Sequence, residues 1–194
     1  MVRKREFNEE QALDAAMQLF WENGFEATSL TDLTTGMGIQ RPSLYATFGD
    51  KQELFEASLR KYNQWHAVSV RQQLHDHVSV QEAFRAFFEQ IAREGYGGKT
   101  SRGCFCINTM VELATHDEKI EILTREHQMY LTVIFQERLE QGVQAGQLPK
   151  SVHTKSLAQT LIVSLIGLTV MLKSRPERSF IEHSITGILS LLED

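Results

Sequence analysis

Residues 29–51 constrain the fold of this chain more than any other segment, because they predict two short helices joined by a tight turn. Ser29 is a preferred residue at a helix N-terminus. Gly36 and Gly38 indicate the turn, and Pro42 fits the first turn of a following helix. Two short helices packed across each other form a helix-turn-helix, whose second helix can enter the major groove of DNA.

The second of these helices is predicted to begin near Gln40 or Arg41 and to end at Phe48. We assign base reading first to Arg41, whose guanidinium can donate two hydrogen bonds to guanine; a phosphate contact is the alternative. The hydroxyls of Ser43 and Thr47 can meet a base edge, a thymine methyl group or a phosphate. The residues predicted to contact DNA are Thr28, Ser29, Gln40, Arg41, Pro42, Ser43, Tyr45, Thr47 and Lys51.

Composition and periodicity predict an all-α globular protein. Apolar residues make up 42% of the 194-residue chain, and the periodic segments have helical spacing. The net charge of −5 does not favour general attraction to DNA. Basic residues nevertheless cluster in the N-terminal arm and near the second short helix, as Arg3, Lys4, Arg5, Arg41 and Lys51. A local basic region fits a small specific DNA contact and argues against non-specific coating.

The sequence gives no support for secretion or a membrane span. The N-terminus does not have the ordered charged, apolar and small-residue regions of a signal peptide. The longest apolar stretch, 161–172, falls short of the roughly 20 residues that cross a bilayer. Cys104 and Cys106 are poorly spaced to form a disulfide with each other, which favours a reducing compartment. We therefore expect a cytoplasmic protein without membrane contact.

The helical pattern predicts two domains. Residues 1–50 form the predicted helix-turn-helix domain, which opens with a helix over 8–23 capped by Asn8. Residues 51–194 form the predicted effector-binding and dimerisation domain. A helix over 51–71 is predicted to link the two domains.

Further helices are predicted along the second domain. Ser79 is predicted to cap one helix, and glycines within 95–103 indicate a flexible loop after it. A short helix is then expected over 104–114. Thr115 is predicted to cap the long helix that follows.

The last two predicted helices, over 152–172 and 180–192, are apolar over a wide arc. Such helices must be covered on more than one side. We predict a homodimer in which these helices of two subunits form a four-helix bundle. The alternative is that both are core helices of a monomer. The residues predicted to form the dimer interface are Leu161, Leu165, Gly167, Leu168, Ile181, Ile185 and Ile188.

The first 60 residues resemble a known family. Residues 12–54 carry the pattern, which includes Gly24-Phe25, Thr28-Ser29, Ile39, Ser43-Leu44-Tyr45, Phe48, Lys51 and Glu53-Leu54. This stretch resembles the DNA-binding domain of the TetR/AcrR family of bacterial transcriptional repressors. The resemblance implies an Ω-shaped homodimer that binds a palindromic operator and leaves it when a small molecule enters the second domain.

The resemblance also implies roles for single residues. Tyr45 and Lys51 match family positions that hold phosphates, while Thr28 and Ser29 would both cap a helix and contact the DNA backbone. Ala46 and Thr47 replace bulkier residues that are usual in the family, which implies fewer phosphate contacts. The basic N-terminal arm would compensate by reaching into a groove or along the backbone; a solvated tail is the alternative.

Aromatic residues at helical spacing in the second domain predict an apolar effector pocket. The alternative is that these side chains fill the core. No pair of Arg or Lys residues is directed inward by the pattern, which favours a neutral or aromatic effector. The residues predicted to line the pocket are Trp65, Phe84, Phe88, Cys104, Met110, His127 and Tyr130, with Phe87 and Phe135 on the same stripes.

Cys104 supports an alternative signal. A thiol at a helix N-terminus near Arg102 can be stabilised as thiolate, so the protein could sense oxidants or electrophiles. Metal sensing is weaker, because the spacings Cys104-x-Cys106 and His75-x-His77 are not strong zinc patterns. We predict no metal site and no cofactor.

Two other classes of protein remain as alternatives. An enzyme would have to assemble Cys104, His116 and Asp117, but the chain has no phosphate loop, nucleophile elbow or metal-binding helix motif. A helical interaction module would keep the fold without binding DNA. We predict a DNA-binding regulator that is not an enzyme.

Overall fold

The computed structural model describes residues 7–97 and 102–193, and these ranges are helical without a strand. The all-α prediction is therefore confirmed. The basic arm of residues 3–5 lies outside the described residues. The helices of the described chain are α1 Glu9–Asn23, α2 Leu30–Met37, α3 Arg41–Phe48, α4 Lys51–His75, α5 Val80–Tyr96, α6 Phe105–Leu113, α7 Glu118–Gln144, α8 Thr154–Leu172 and α9 Arg178–Ser190.

Local capping sets the limits of the short helices. The Ser29 hydroxyl accepts a hydrogen bond from the Asp32 N–H, and the Asp32 carboxylate accepts one from the Ser29 N–H, so α2 begins with a capping box. Gly38 ends α2 in the left-handed conformation at φ 65°, which a residue with a Cβ rarely adopts. Pro42 lies in the first turn of α3. The predicted helix-turn-helix is confirmed.

Helix limits differ from the prediction at several points. Helix α8 begins at Thr154 and not at residue 152, and α9 spans Arg178–Ser190 and not 180–192. Two further differences have a clear physical reason. The α7 N-cap is Asp117 and not Thr115, because the Asp117 carboxylate accepts from the N–H groups of Lys119 and Ile120. The linking helix α4 continues to His75, four residues past the predicted end. Leu74 on this extension is fully buried, and Val70 lies buried one turn before it, so packing sustains the helix beyond the predicted limit.

Buried side chains form two hydrophobic cores. The first, here the N-terminal core, joins α1, α2, α3 and the first half of α4. It also takes residues from the second half of the chain, namely Phe105, Cys106, Leu113, Ile120 and Leu123. The second, here the C-terminal core, joins the end of α4 with α5, α8, α9 and the later part of α7. Helix α6 therefore shares the core of the N-terminal helices and contacts α4, although the chain places it in the second half.

Helix α8 is long and apolar enough to cross a membrane by length and composition, and 39% of its apolar window is buried inside the protein. It packs against α5, α6, α7 and α9. These contacts are those of a core helix with one exposed face. The exposed apolar residues of α8 and α9 are Val163, Val170, Met171 and Phe180.

The predicted dimer residues require a correction. The side chains of Leu161, Leu165, Leu168, Ile181 and Ile185 are at most 5% exposed, since they fill the core of their own protomer. Ile188 packs partly against the same core. Gly167 does lie on the exposed face, and an added Cβ there would meet nothing within 4 Å. The wide apolar arc of α8 and α9 thus has an inner side, which packs in the core of the protomer, and an outer side, which is exposed. Most residues predicted to form the dimer interface lie on the inner side.

Candidate nucleic-acid interface and effector pocket

Helix α3 is anchored by one side and exposed on the other. The Leu44 side chain is fully buried in the N-terminal core. Gln40, Arg41 and Pro42 are exposed, and Tyr45 is 49% exposed. This arrangement presents the N-terminal end of α3, where recognition helices contact bases. The exposed side chains of α3 and its N-cap are therefore accessible to a partner outside the protomer.

Arg41 is held at the turn between the two short helices. Its Nη2 donates a hydrogen bond to the Thr31 Oγ1 at 3.1 Å, and both residues are exposed. This contact leaves further guanidinium donors available for a base or a phosphate. Ser43 and Thr47 are half-buried, so their hydroxyls lie at the edge of the exposed face rather than on its centre.

Thr28 is not on this surface. Its side chain is fully buried and its hydroxyl donates to the Gly24 carbonyl at 2.6 Å. Ser29 alone caps α2. The predicted double role of Thr28, as helix cap and DNA contact, is therefore wrong, because its hydroxyl is used inside the α1–α2 turn. Ser29 remains exposed beside the α2 N-terminus.

Lys51 occupies the first position of α4. Its ammonium lies over the Phe25 ring, 4.3 Å from the ring centroid, a distance at which a cation is attracted to an aromatic face. Asp50 caps the same helix end and forms a capping box with Glu53. Lys51 is thus held between the α1–α2 turn and α4, next to α3, where a phosphate contact is possible.

A cavity of about 470 Å³ lies between the two cores. Helix α1 contributes Trp21, α4 contributes Tyr62 and His66, and α7 contributes His127 and Gln128. Side chains of α5, α6 and α8 complete the wall, among them Phe87, Cys106, Ile107, Ile162 and Thr169. A cavity of this size and apolar lining is typical of small-molecule sites.

The comparisons with known proteins match both halves of the chain. Residues 12–58 match the family model described as bacterial regulatory proteins, tetR family. Residues 80–188 match the model described as tetracyclin repressor-like, C-terminal domain. The chain belongs to the TetR family. It is therefore a DNA-binding transcriptional regulator and not an enzyme, as predicted.

Individual relatives agree with this assignment. The chain is 33% identical to the HTH-type transcriptional repressor ComR of Escherichia coli, over 87% of this chain and 80% of that protein. It is 29% identical over the full length of both chains to YezE of Bacillus subtilis, an uncharacterized HTH-type transcriptional regulator. A cysteine mutant of the TetR-family regulator CifR, solved with a 26-bp double-strand operator DNA, is 30% identical, covers 97% of this chain and 98% of its own, and has a TM-score of 0.82.

Three of the seven residues predicted to line an effector pocket in this TetR-family chain line the cavity. They are Trp65, Cys104 and His127. Phe84 and Phe88 point into the C-terminal core and are fully buried, whereas Phe87 between them lines the cavity.

The other two predicted pocket residues also lie elsewhere. Tyr130 is 51% exposed and is not among the cavity residues. Met110 is outside the cavity wall as well, and its sulfur accepts a hydrogen bond from the Gln128 Nε2. Sequence patterns do not identify Trp21 as a cavity residue, because it belongs to the other predicted domain. Its nearness to Arg102 becomes visible only in the fold.

The cysteines of the cavity wall differ from the prediction. Burial raises the pKa of the Cys104 thiol, and the Tyr62 hydroxyl offsets part of this effect. Burial also raises the pKa of Cys106, with the nearby Cys104 adding to it. Cys104 is the N-cap residue of α6 but makes no side-chain capping bond. The expected stabilisation of a thiolate is therefore absent, because loss of solvent outweighs the helix dipole.

The cavity wall is joined to α1 through two residues that precede α6. The Trp21 Nε1 donates to the Gly103 carbonyl at 2.9 Å. The Arg102 guanidinium lies 4.2 Å from the Trp21 ring centroid and donates to the Gln18 Oε1 at 2.7 Å. These contacts tie the loop before α6 to the first helix of the DNA-binding domain.

Glu112 forms a second joint at the other end of α6. Its carboxylate accepts hydrogen bonds from the Phe25 N–H at 3.1 Å and the Glu26 N–H at 3.1 Å. Hydrogen bonds to a charged acceptor are stronger than neutral ones. Helix α6 is therefore connected at both ends to the α1–α2 region that carries the helix-turn-helix.

Proposed function

We propose that the protein is a homodimeric repressor that binds an inverted-repeat operator and is released when a small molecule enters the cavity between the two cores. A symmetric dimer carries two copies of α3 related by a twofold axis, so its operator must be an inverted repeat. The two named relatives that bear on this proposal are ComR, a transcriptional repressor, and CifR, solved with operator DNA.

The observation that carries the proposal is the position of the cavity. Trp21 of α1 and Ile107 of α6 both line it, and α6 is joined to the α1–α2 turn through Glu112. A molecule that displaces α6 must therefore strain these joints or move the helix-turn-helix with them. A ligand that binds the displaced arrangement more tightly shifts the protein away from its DNA-bound form.

The exposed face of α8 and α9 supports the dimer. Val163, Gly167, Val170 and Met171 follow one another at helical spacing along the outer side of α8. On α9, Phe180 begins a similar exposed stripe that includes Gly187 and Leu191. Added Cβ atoms at either glycine would meet nothing within 4 Å, so a partner helix can approach closely. Exposed apolar residues gathered on one face of α8 are typical of an interface.

Selection of bound duplexes from a random library tests the operator. We expect an inverted repeat with two equivalent half-sites. Candidate compounds are then added to the selected complex, and release by a compound that no longer acts on a cavity-filling Ile166→Trp variant supports the proposed site. An enriched sequence without twofold symmetry contradicts the proposal.

A matched pair of variants tests the dimer. Val163 on α8 is 68% exposed, and Val78 before α5 is 89% exposed. We expect Val163→Arg to convert the dimer to monomers in sedimentation and to weaken operator binding, while Val78→Arg leaves both unchanged. A dimer that survives Val163→Arg at all protein concentrations argues for another interface.

A further inference from the structure

Two histidine rings form the polar centre of the cavity wall. The His66 Nδ1 and the His127 Nε2 are 3.0 Å apart, and the ring centroids are separated by 5.2 Å. One of these two nitrogens must carry a proton and donate the hydrogen bond, and the other must accept that hydrogen bond. In either tautomer, therefore, the two outer nitrogens comprise one donor and one acceptor.

The outer nitrogens are available to a ligand. Within the described residues, neither the His66 Nε2 nor the His127 Nδ1 makes a hydrogen bond to the protein. Both histidines line the cavity. When both rings change tautomer, with the bridging proton crossing to the other ring and the outer proton exchanging through solvent or the ligand, the outer donor and acceptor are exchanged. The neutral pair can therefore bond to a hydroxyl or to a carbonyl.

Aromatic rings continue from this pair across the wall of the cavity. The Tyr62 ring stacks on His66 at 5.2 Å with an interplanar angle of 16°. Trp65 and Trp21 lie 5.7 Å and 5.0 Å from Tyr62, measured between ring centroids. Side chains of α5 and α8, such as Phe87, face the same space. This row of rings favours a flat unsaturated ligand, which can pack against ring faces and edges.

The described residues of the wall, which exclude 98–101, offer no buried partner for a charged ligand. Glu94 and Arg102 are the charged residues among the described lining residues, and both are exposed. Arg102 is already engaged by Trp21 and Gln18. Burial lowers the pKa of His66 to about 4 and that of His127 to about 3, which keeps the pair neutral. An ion taken into this space would lose its hydration without an opposite charge.

We propose that the effector is an uncharged molecule with a flat unsaturated ring system, whose hydroxyl or carbonyl group hydrogen-bonds to the His66–His127 pair. This inference rests on the proposed function, in which the cavity is the effector site. It goes further by assigning the chemical class of the ligand and the two residues that recognise its polar group.

Three probes that share one ring system test the class. They are 4-phenylphenol, biphenyl and biphenyl-4-carboxylate, of which the last is ionised at pH 7. Binding to the full chain is measured by equilibrium dialysis and by quenching of Trp21 and Trp65, both of which line the cavity. We expect the phenol to bind about tenfold more tightly than biphenyl, as one hydrogen bond in a desolvated site allows. The carboxylate should bind at least about tenfold more weakly than biphenyl.

Two histidines of α4 provide the matched variants. His66→Phe keeps a ring against Tyr62 but removes both nitrogens, whereas His75→Phe changes an exposed residue near the end of the same helix. We expect His66→Phe to reduce the preference for the phenol over biphenyl to below about threefold, because the hydrogen bond is lost. The His75→Phe protein should keep the full preference.

The outcomes separate this inference from the proposed function. Equal binding of phenol and biphenyl, tighter binding of the carboxylate, or no binding of the phenol to the unaltered protein overturns the ligand class. If a different compound then releases the operator and fails to act on Ile166→Trp, the effector site stands without this class. If the probes bind as expected but the operator stays bound at saturation, the ligand class stands and the effector role of the cavity fails.

Discussion

The two cores of the protein differ in composition and in origin along the chain. The N-terminal core is centred on Phe55, whose ring makes edge contacts with Phe20, Phe25 and Phe105 at centroid distances of 4.9, 5.0 and 5.5 Å. The C-terminal core is mainly aliphatic, with a smaller aromatic group around Phe135. The first core combines α1 to α4 with residues of α6 and the start of α7, whereas the second uses the end of α4 with α5, the later part of α7, α8 and α9.

This difference indicates how the cavity could be coupled to the DNA-binding domain. Phe105 and Leu113 fix α6 in the N-terminal core, while Cys106 and Ile107 of the same helix line the cavity. In the proposed mechanism, a ligand in the cavity would contact a helix that already shares the core of the DNA-binding domain. Hydrogen bonds add to this packing, since Gln52 of α4 donates to Asp117 at 2.6 Å. The signal does not have to cross a loosely packed domain boundary.

Equal losses of packing in the two cores should have unequal effects on DNA binding. Phe55→Ala and Phe84→Ala each remove a fully buried ring, and each should lower the free energy of unfolding by about 3–5 kcal/mol. We expect Phe55→Ala to weaken operator binding of the folded protein strongly, because α1 and α4 lose their shared contact. Phe84→Ala should change operator affinity by less than about threefold, within the usual effect of distant sites. Chemical denaturation and operator titration measure both quantities.

Similar losses of operator affinity in the two variants would contradict different roles of the two cores in DNA binding. That result would mean that the two cores act as a single unit in DNA binding. A wild-type unfolding curve with one transition would agree with it.

Acid should destabilise the boundary between the cores. Burial lowers the pKa of His66 to about 4 and that of His127 to about 3, below the value of about 6.5 in an unfolded chain. Between these values the unfolded state binds more protons, so the free energy of unfolding falls as the pH drops from about 6.5 towards 4. Each histidine contributes at most about 1.4 kcal/mol per pH unit. Denaturation at a series of pH values measures the slope.

Variants separate the histidine pair from other titrating groups. His127→Phe should reduce the slope below pH 6.5, because one of the buried neutral histidines is gone. His75→Phe, at an exposed position on α4, should leave it unchanged. An unaltered slope in the His127→Phe protein would show that the pair does not control acid stability.

We expect two residues of the N-terminal half to contact different parts of DNA, Arg41 a base and Lys51 a phosphate. Arg41→Ala should weaken operator binding by about 1–3 kcal/mol and relax one base position, because a bidentate contact to guanine is lost. Lys51→Ala should weaken binding to all sequences about equally and reduce the salt dependence by about one phosphate contact. Titration of a panel of single-base operator variants distinguishes the two outcomes. Unchanged base preferences in Arg41→Ala would limit this residue to phosphate contacts.

The helix-turn-helix could be predicted from sequence because its determinants are local. Ser29, Gly38 and Pro42 specify the ends of α2 and α3 through backbone chemistry within a few residues. The Thr115 cap was wrong because Asp117, two residues later, competes for the same helix end. Local rules identify the presence of a cap more readily than the residue that provides it.

The cavity and the exposed apolar face of α8 depend on long-range packing, which periodicity does not specify. Phe84, Phe87 and Phe88 lie on one predicted stripe, but only the fold shows that Phe87 borders the cavity. The apolar arc of α8 includes both Leu165, which faces the core, and Val163, which faces outward. Both side chains are apolar, so hydrophobicity alone does not separate the inner face of the helix from its outer face.

Glu112→Gln tests the joint between α6 and the α1–α2 turn. Glutamine keeps an acceptor oxygen but loses the charge, which should weaken the contact with the Phe25 and Glu26 N–H groups by about 1 kcal/mol. We expect ligand affinity to stay within about twofold, because Glu112 does not line the 470 Å³ cavity. Release of the operator should require about fivefold more ligand. An unchanged release curve would place the coupling in the Trp21–Arg102 contact instead.

The smallest effect is expected at the cysteine before α6. Because burial raises the pKa of Cys104, its thiol should react with iodoacetamide more slowly at pH 7 than it does in the denatured chain. Cys104→Ser should therefore leave operator affinity and ligand-induced release unchanged within about twofold, since the hydroxyl is nearly isosteric and little thiolate exists to be lost. Cys106→Ser, at a buried position, is the control for the second thiol. Peroxide that releases the unaltered protein but not Cys104→Ser would instead establish redox sensing, and would show that the wall of the cavity opens far enough to expose this sulfur.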